Sequence, residues 1–539
     1  MLTKDKPDPL YLWSTHQLWS THRAESINTR LRFLLIMHIV MASSEAIPFA
    51  KTGGLADVVG TLPIELGHLG HACSVFLPAY KSAKQYWSER PEVKVHEAVA
   101  SLVVDLAGYP VHAWIHRVNL PGSRVDYYLV DQPMFYDRHG IYGDSHGAFG
   151  DNCARYCFFS RAVAQAIERL AIPVDIIHCH DWQTGLIPAY HRTQTDHHSW
   201  YRRSASVMTI HNMAYQGRFW GPDMILTGMD QGYFHWESME YYGDLNLLKT
   251  GIAFADALTT VSPTYAQEIQ SHPQGYGLEG LLSARRDRLF GIVNGIDTSV
   301  WNPQTDSNLS FHYSRENWAQ GKAACKRSLQ ESLGLPVRPD VPLIGIVGRL
   351  AEQKGWDLIL QLMRWWIDHR DVQWVILGSG EQRFADALFQ LAQQRPDRVS
   401  LQTTFSDPLA HRIEAGADLF LMPSLYEPCG LNQLYSLRYG AVPVVRSTGG
   451  LADTLCDATP ENIEQGIATG FVFDDYTPEA LAQATIRALE IYSQSPQLWS
   501  KIVTAGMSQD WSWSKSTKDM LEVYEQARQF AKNDQRLDS

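Results

Sequence analysis

The sequence predicts an α/β protein built from two doubly wound, Rossmann-like domains in succession. From residue 38 to about 290, short apolar runs alternate with helical patterns, which is typical of a parallel sheet covered by helices. The alternation starts again after a turn signal at Val293-Asn-Gly-Ile-Asp297. The segment Thr52-Gly-Gly-Leu-Ala-Asp57 recurs as Thr448-Gly-Gly-Leu-Ala-Asp453. A similar glycine loop in each half favours two domains of similar design.

Length, charge and cysteine content limit the class of protein. The 539 residues are too many for one ordinary core. The net charge of -12 argues against a nucleic-acid partner, so an anionic ligand needs a local basic cluster. No apolar run reaches the ~18 residues of a membrane span, so no membrane partner is predicted. Seven scattered cysteines without Cys-x-x-Cys indicate neither a disulfide framework nor a zinc site, and they favour a reducing compartment, cytoplasmic or plastid-like, of which we expect the cytoplasm.

The predicted strands define the two domains. In the first half they are His38–Ser43, Ala72–Pro78, Val125–Val130, Asp175–His180, Ser206–Ile210 and Ala257–Val261. In the second half they are Pro342–Gly348, Gln373–Gly378, Val399–Phe405, Leu419–Met422 and Val442–Arg446. We place the first domain at 37–293 and the second at 294–515, followed by a helical segment at 516–539.

Residues 1–36 are predicted to be a poorly ordered N-terminal extension, because they repeat Leu-Trp-Ser-Thr-His without a core-forming period. Arg30, Arg32 and the apolar run 33–42 imitate a signal peptide. Cleavage of a signal peptide near Ala42 would remove the first predicted strand. We therefore interpret residues 1–36 as an extension and not as a signal peptide.

The first glycine loop lies between a predicted strand and a predicted helix. Gly53 and Gly54 let a ligand approach the backbone closely, and a helix N-terminus offers N–H groups to an anion. Lys51 adds a positive charge. A Gly-Gly pair alone often marks only a turn. The following helix is predicted to carry Pro63 in its first turn.

Polar clusters follow four strands. In the first half these are His178-Cys-His-Asp-Trp182 and His211-Asn-Met-Ala-Tyr-Gln-Gly217, at strand ends where doubly wound sheets bind ligands. In the second half Arg349 and Lys354 could grip a diphosphate, and Tyr426-Glu-Pro-Cys-Gly-Leu-Asn-Gln433 opens a helix. A strand-end histidine is often only structural, and a glutamate at a helix start is often only a cap.

In this order the segments resemble the family of bacterial glycogen synthases and plant starch synthases, which are retaining glucosyltransferases of the GT-B fold. The resemblance runs from about Met37 to the end of the chain. It implies two Rossmann-like domains with an interdomain cleft and a C-terminal helix that crosses back to the first domain. It also implies transfer of glucose from ADP-glucose to the non-reducing end of an α-1,4-glucan, with retention of configuration.

The resemblance also implies roles for individual residues. Those expected to act in catalysis are Asp181, His211, Arg349, Lys354 and Glu427. Those expected to bind the donor, besides Arg349 and Lys354, are Lys51, Gly53, Gly54, Asn294, Phe405, Cys429, Gly430, Thr448, Gly449 and Gly450. Those expected to line the substrate pocket are Asp57, Trp182, Asn212, Tyr215 and Gln216. Two positions depart from the family: Phe405 stands where tyrosine is common, and Asn432 where threonine or isoleucine is usual.

No cofactor is expected, since ADP-glucose is a substrate, and no metal site is predicted. The sequence contains no Asp-x-Asp, so we expect paired cations to stabilise the leaving diphosphate. One alternative is a related GT-B glucosyltransferase that uses UDP-glucose. Another is a catalytically silent glucan-binding or priming protein, which would be expected to have lost the charges of Lys51, Arg349, Lys354 and Glu427.

Overall fold

The computed structural model describes residues 36–537, apart from residues 145, 196 and 405. The predicted extension up to residue 35 lies outside the described residues. No helix within the described range is long and apolar enough to cross a membrane.

The first domain is organised around a nine-stranded sheet. The strands of this domain are β1 His38–Ala42, β2 Ala72–Pro78, β3 Lys94–Leu106, β4 Tyr109–Asn119, β5 Asp126–Asp131, β6 Gly143–Asp144, β7 Gly147–Ala148, β8 Ile176–His180, β9 Ala205–Ile210, β10 Arg218–Trp220, β11 Glu240–Tyr241, β12 Asp244–Asn246, β13 Ala257–Thr260 and β14 Leu289–Gly291. The large sheet has the order β14-β13-β9-β8-β1-β2-β5-β4-β3. The short strands form separate ribbons, β6-β7 and β10-β12-β11.

The parallel part of this sheet confirms the predicted alternation. The strands from β14 through β1 to β5 pair in parallel, and β1 is in register with β2 at His38↔Ala72 and with β8 at Ile39↔Ile176. Such strands are buried on both faces, which explains their continuous apolar runs. The antiparallel hairpin of β3 and β4 at the sheet edge was not predicted.

Helices cover both faces of the first sheet. They are α1 Gly54–His68, α2 Lys81–Ser88, α3 Pro133–Tyr136, α4 Asn152–Arg169, α5 Leu186–Thr193, α6 Met224–Thr227, α7 Leu247–Phe254, α8 Pro263–Glu268 and α9 Glu279–Ala284. Helix α1 begins directly at the glycine loop, so Pro63 lies in its interior. The expectation of Pro63 in a first turn was therefore wrong.

The second domain has a six-stranded parallel sheet of order β17-β16-β15-β18-β19-β20. Its strands are β15 Leu343–Val347, β16 Gln373–Leu377, β17 Val399–Gln402, β18 Leu419–Met422, β19 Val442–Arg446 and β20 Phe471–Phe473. Its helices are α10 Trp318–Ser332, α11 Trp356–His369, α12 Gln382–Gln394, α13 Asp407–Gly416, α14 Asn432–Tyr439, α15 Gly449–Thr454, α16 Pro460–Glu464, α17 Pro478–Gln494 and α18 Pro496–Met507. The first five strands were predicted, and β20 was missed.

A final helix, α19 Trp513–Leu537, returns to the first domain. Its apolar residues pack in the same core as Ile176 and Val207 of the first sheet. The Tyr524 hydroxyl lies 2.9 Å from His178 Nδ1, and Arg288 forms a 2.8 Å ion pair with Asp534. Two doubly wound domains and a returning helix confirm the predicted fold class.

Deleting the chain after Asp510 should destabilise the first domain. The deletion uncovers the apolar face that α19 buries and leaves His178 and Arg288 without their partners on Tyr524 and Asp534. We expect a clearly lower melting temperature and no glucose incorporation. A truncated protein with the melting temperature of the full chain would show that α19 is dispensable.

Candidate active site

Asp181 and His211 lie at the carboxyl ends of neighbouring strands, β8 and β9. The Asp181 carboxylate accepts a 2.7 Å hydrogen bond from the His211 backbone N–H, which joins the two strand ends. Asp181 has a φ of 55°. A non-glycine residue in the left-handed region costs on the order of 1 kcal/mol, and such strain is concentrated at functional sites.

Burial changes the protonation of both side chains. Loss of solvent raises the pKa of Asp181 to about 7, and the nearby Glu45 carboxylate adds to this effect. Loss of solvent lowers the pKa of His211 to about 3, so this imidazole is neutral at physiological pH. A strongly shifted carboxyl beside a neutral histidine at a strand end is a common feature of active sites.

Replacing Asp181 by asparagine should make stability less dependent on pH. Because the folded-state pKa of Asp181 is raised from 3.8 to about 7, ionisation of this carboxyl lowers stability as the pH rises across that interval. Asparagine keeps the oxygen that accepts from His211 but does not ionise. We expect the variant and wild type to unfold at similar temperatures near pH 4, with the variant increasingly more stable up to pH 7. A difference that is the same at every pH would contradict the assignment.

Glu45 holds the first glycine loop and was missed by the sequence analysis. Its buried carboxylate accepts hydrogen bonds from the Thr52 amide, the Thr52 hydroxyl and the Gly53 amide, and from Tyr142 at 2.6 Å. The loop amides of Thr52 and Gly53 therefore have a protein acceptor in this structure, and a direct role of Gly53 in donor binding stays a prediction. Gly54 lies against the second domain, where an added Cβ would be 3.5 Å from Leu431 Cδ1.

Lys51 and Asp57 pair across this loop. Lys51 Nζ lies 2.7 Å from Asp57 Oδ1, and the lysine side chain is 40% exposed. Burial raises the pKa of Asp57, while the Lys51 ammonium opposes that rise. The negative charges of Asp407 and Asp297 also raise the pKa of Asp57. Because both lie in the second domain, the Asp57 carboxylate faces that domain. Lys51 is paired with this carboxylate, and the roles of both residues in binding substrate stay predictions.

The predicted cations of the second domain, Arg349 and Lys354, both lie in the segment that follows β15. Lys354 Nζ is 2.6 Å from Glu427 Oε2, and the Ser424 hydroxyl donates to the same oxygen at 2.9 Å. Arg349 reaches across the cleft and donates to the Tyr215 hydroxyl at 2.9 Å, and it donates to Gln353 at 3.2 Å. The hydrogen-bond partners of Arg349 are thus neutral, whereas the charge of Lys354 is paired.

The segment around Cys429 joins the two domains. Burial raises the pKa of Cys429 to about 12, while hydrogen bonds from Asn294 act in the opposite direction. Gly430 has a φ of 71°, a conformation that glycine adopts without strain. Asn432, which departs from the family, donates from its amide to the Val347 carbonyl at 2.6 Å. Cys429 packs in the core of the first domain, so Asn294, Cys429 and Gly430 lie where the two domains meet.

The second glycine pair, Gly449 and Gly450, has protein hydrogen-bond partners in this structure. The Gly449 amide and the Thr448 hydroxyl each donate to Glu268 of the first domain at 3.0 Å, and the Gly450 amide donates to the Glu427 carbonyl at 3.0 Å. An added Cβ at Gly449 would lie 2.0 Å from the Glu427 carbonyl oxygen. In this structure the glycines permit close packing, and their amides have protein acceptors. A direct role for Thr448, Gly449 and Gly450 in donor binding stays a prediction.

Helices α8 and α15, one from each domain, bind each other through a reciprocal pair of contacts. Asp453 of α15 accepts hydrogen bonds from the Thr264 amide at 2.9 Å and the Thr264 hydroxyl at 2.7 Å, at the start of α8. Glu268 ends α8 and bonds the start of α15. Each helix thus supplies a carboxylate to the N-terminus of the other, a favourable position for negative charge. This contact holds the two domains together beside the cleft.

A pocket of about 390 Å³ opens between the strand ends and the small β10-β12-β11 sheet. Its lining residues are Ala148, Asn152, Trp182, Ala214, Tyr215, Gln216, Gly217, Arg218, Phe219 and Tyr276. The Trp182 ring is buried, whereas Tyr215 is 50% exposed. Apolar walls with a few polar groups are typical of small-molecule sites.

Two of the predicted pocket residues have mainly structural contacts. The Gln216 side chain accepts from Asn246 at 2.7 Å and donates to the Tyr276 carbonyl at 3.1 Å. The Asn212 side-chain oxygen Oδ1 accepts a hydrogen bond from the Ala214 amide at 3.0 Å. Gln216 thus shapes the pocket wall, and Asn212 fixes the turn after His211.

The predicted donor contact Phe405 lies outside the described residues. Within the described range, no group of three or more histidine, cysteine, aspartate or glutamate side chains is arranged to hold a metal ion.

Two Rossmann-like domains face each other across a charged cleft, with catalytic candidates on both sides. This arrangement defines a glycosyltransferase of the GT-B class. Family models agree with both halves: "Starch synthase catalytic domain" matches residues 38–284, and "Glycosyl transferases group 1" matches residues 331–503.

Relatives match nearly the whole chain. Glycogen synthase of Rhodopirellula baltica is 46% identical over 90% of this chain and 97% of its own length. Glycogen synthase of Syntrophotalea carbinolica is 44% identical over 91% and 99%. The catalytic domain of starch synthase IV from Arabidopsis thaliana, solved with ADP and acarbose, is 30% identical, with a TM-score of 0.83 over 92% of this chain and 100% of that one. The chain belongs to the glycogen and starch synthase family of glycosyltransferases.

Proposed function

We propose that the chain transfers glucose from ADP-glucose to the non-reducing end of an α-1,4-glucan, with retention at the anomeric carbon. The observation that carries the proposal is the cleft itself. Arg349, Lys354 and Glu427 lie on one side of it, and Asp181 and His211 lie on the other. The starch synthase IV structure with ADP and acarbose supports a nucleotide and a glucan-like ligand for this fold.

The cations are suited to the departing diphosphate. Arg349 hydrogen-bonds only neutral partners among the described residues, so its charge is available to a phosphate group. A diphosphate near Lys354 would share this ammonium with Glu427, which already lies 2.6 Å away. Fixed positive charges stabilise developing negative charge without reorganisation in the transition state. Metal-independent transfer, with no cofactor, is therefore part of the proposal.

Retention is assigned to attack from the face that the phosphate leaves. A covalent intermediate needs a carboxylate that is free to reach the anomeric carbon. One oxygen of Glu427 binds Lys354 and Ser424, and one oxygen of Asp181 binds the His211 amide. Glu427 is instead suited to accept hydrogen bonds from glucosyl hydroxyls.

Domain closure is expected to keep water from the donor. The contacts of Glu268 and Asp453 join the two domains beside the cleft and favour the closed arrangement. A cytoplasmic location is also part of the proposal, since all seven cysteines are free thiols.

Incubation of the purified protein with glycogen and radiolabelled ADP-glucose or UDP-glucose tests the proposal. We expect label to enter glycogen mainly from ADP-glucose, in a form that β-amylase releases, and at the same rate after treatment with EDTA. Incorporation from UDP-glucose alone would favour the alternative donor. No incorporation from either donor, with glycogen binding retained, would favour a silent glucan-binding protein. Loss of activity in EDTA that magnesium restores would overturn the metal-independent mechanism.

A further inference from the structure

His180 is a buried neighbour of His211, and the proposed reaction assigns it no role. It is fully buried, and its Nδ1 lies 3.0 Å from His211 Nε2. Its other ring nitrogen, Nε2, is buried and has no hydrogen-bond partner among the described residues. His211 itself is partly exposed at the end of β9, and its Nδ1 has no hydrogen-bond partner within the described range.

Both imidazoles are neutral, because burial lowers the pKa of His180 well below its usual value and that of His211 to about 3. A neutral imidazole has one N–H donor and one acceptor nitrogen. The 3.0 Å contact therefore allows two arrangements. Either His180 donates from Nδ1 to His211 Nε2, or His211 donates from Nε2 to His180 Nδ1.

The buried Nε2 of His180 distinguishes these arrangements. If His211 donates, His180 must carry its proton on Nε2, which leaves a buried N–H without an acceptor. Buried N–H groups without an acceptor are rarer in proteins than acceptors that lack a donor. If His180 donates from Nδ1, its Nε2 carries no proton and is only an acceptor that lacks a donor. The second case is favoured, and it places the proton of His211 on Nδ1.

The ring of His180 is also fixed in orientation. The His178 ring lies 4.1 Å from it, centroid to centroid, at an angle of 34°. His178 is held by Tyr524 of α19 at 2.9 Å and by Thr209 at 2.6 Å. A half-turn of the His180 ring would replace Nδ1 by a carbon, so the 3.0 Å bond to His211 itself selects the observed orientation.

We propose that His180 is a positioning residue that sets the tautomer of His211. With its proton on Nδ1, His211 presents an N–H donor to an oxygen atom of the bound sugar nucleotide or acceptor sugar. This inference rests on the proposed function for the identity of the substrate. The hydrogen-bond direction inside the protein does not depend on it.

Nitrogen NMR of the full chain with ¹⁵N-labelled histidine reads the tautomer directly and needs no substrate. We expect the His211 resonance, identified by its loss in His211→Gln, to show a proton on Nδ1 and an unprotonated Nε2. A proton on Nε2, or a doubly protonated ring, would overturn the inference. Because this readout is independent of turnover, it remains decisive even if the wild type incorporates no glucose.

Matched substitutions test the role in catalysis. An asparagine amide lies close to the position of Nδ1, whereas a glutamine amide lies close to that of Nε2. We expect His180→Asn to keep kcat within about fivefold, and His180→Gln and His180→Leu to lose about 10²-fold with little change in KM, by analogy with removal of an oriented donor. His191→Asn changes a buried histidine that bonds Ser204 outside the site, and it should keep wild-type kcat. Equal activity of His180→Asn and His180→Gln, with all variants folded by thermal unfolding, would contradict the role.

Discussion

Replacing Lys354 by alanine is expected to lower the rate of glucose transfer by about 10²–10³-fold. The Lys354 ammonium lies 2.6 Å from Glu427, and its side chain is 25% exposed, so a bound diphosphate can contact it. Its loss removes a fixed charge from the place where negative charge develops. The change should appear in kcat with ADP-glucose and glycogen, since the interaction strengthens as the phosphate leaves.

A stability control is needed, because Lys354→Ala leaves the buried Glu427 carboxylate without its ionic partner. The double variant Lys354→Met with Glu427→Gln removes both charges and should fold as well as the wild type while remaining inactive. Lys501→Ala, an exposed lysine of α18, should leave the rate unchanged. Wild-type rates in a folded Lys354→Ala protein would remove this residue from the proposed clamp.

Replacing Glu45 by alanine is expected to lower kcat by about 10²-fold, because a displacement of about 1 Å in a positioned group has an effect of that size. Glu45 is the common acceptor for the Thr52 amide, the Thr52 hydroxyl and the Gly53 amide. Without it the loop that carries Lys51 loses its fixed conformation. The loop is exposed, so water can satisfy its donors, and we expect a stability loss of only about 1–2 kcal/mol.

Two further variants make this result specific. Glu45→Gln keeps one acceptor oxygen and should retain more activity than Glu45→Ala. Glu65→Ala removes a carboxylate from α1, the helix that follows the loop, and should be active at the wild-type rate. Steady-state kinetics and thermal unfolding of the three proteins provide the comparison. A Glu45→Ala protein with wild-type kcat would mean that the loop does not need this anchor.

Strand-end residues could be predicted from the sequence because the carboxyl ends of parallel strands meet at one edge of a sheet. That rule correctly brings Asp181 and His211 together. The rule applies equally to Glu45, which follows β1 by three residues. The prediction for this strand end depended on the glycines of the loop instead. The sequence does reveal a negative charge at that position, although not the four donors that gather around it.

Other features have weaker sequence signals. Glu268 lies at the end of a helix, and nothing local indicates that it bonds Gly449 of the other domain.

The β3–β4 hairpin, by contrast, has a readable pattern, since the alternate residues Ala100, Leu102 and Val104 are buried. It was not predicted, because the other strands of the sheet were recognised by continuous apolar runs, which are typical of parallel strands.

The proposed reaction depends on positively charged side chains of the second domain, which face the strand ends of the first and hold the departing diphosphate. A crystal structure of the protein grown with ADP tests it most directly. We predict that the diphosphate lies in the cleft, within hydrogen-bond distance of Lys354 Nζ and the Arg349 guanidinium, with Arg349 released from Tyr215. An ADP molecule bound away from the cleft, or one whose phosphates contact neither side chain, would contradict the account.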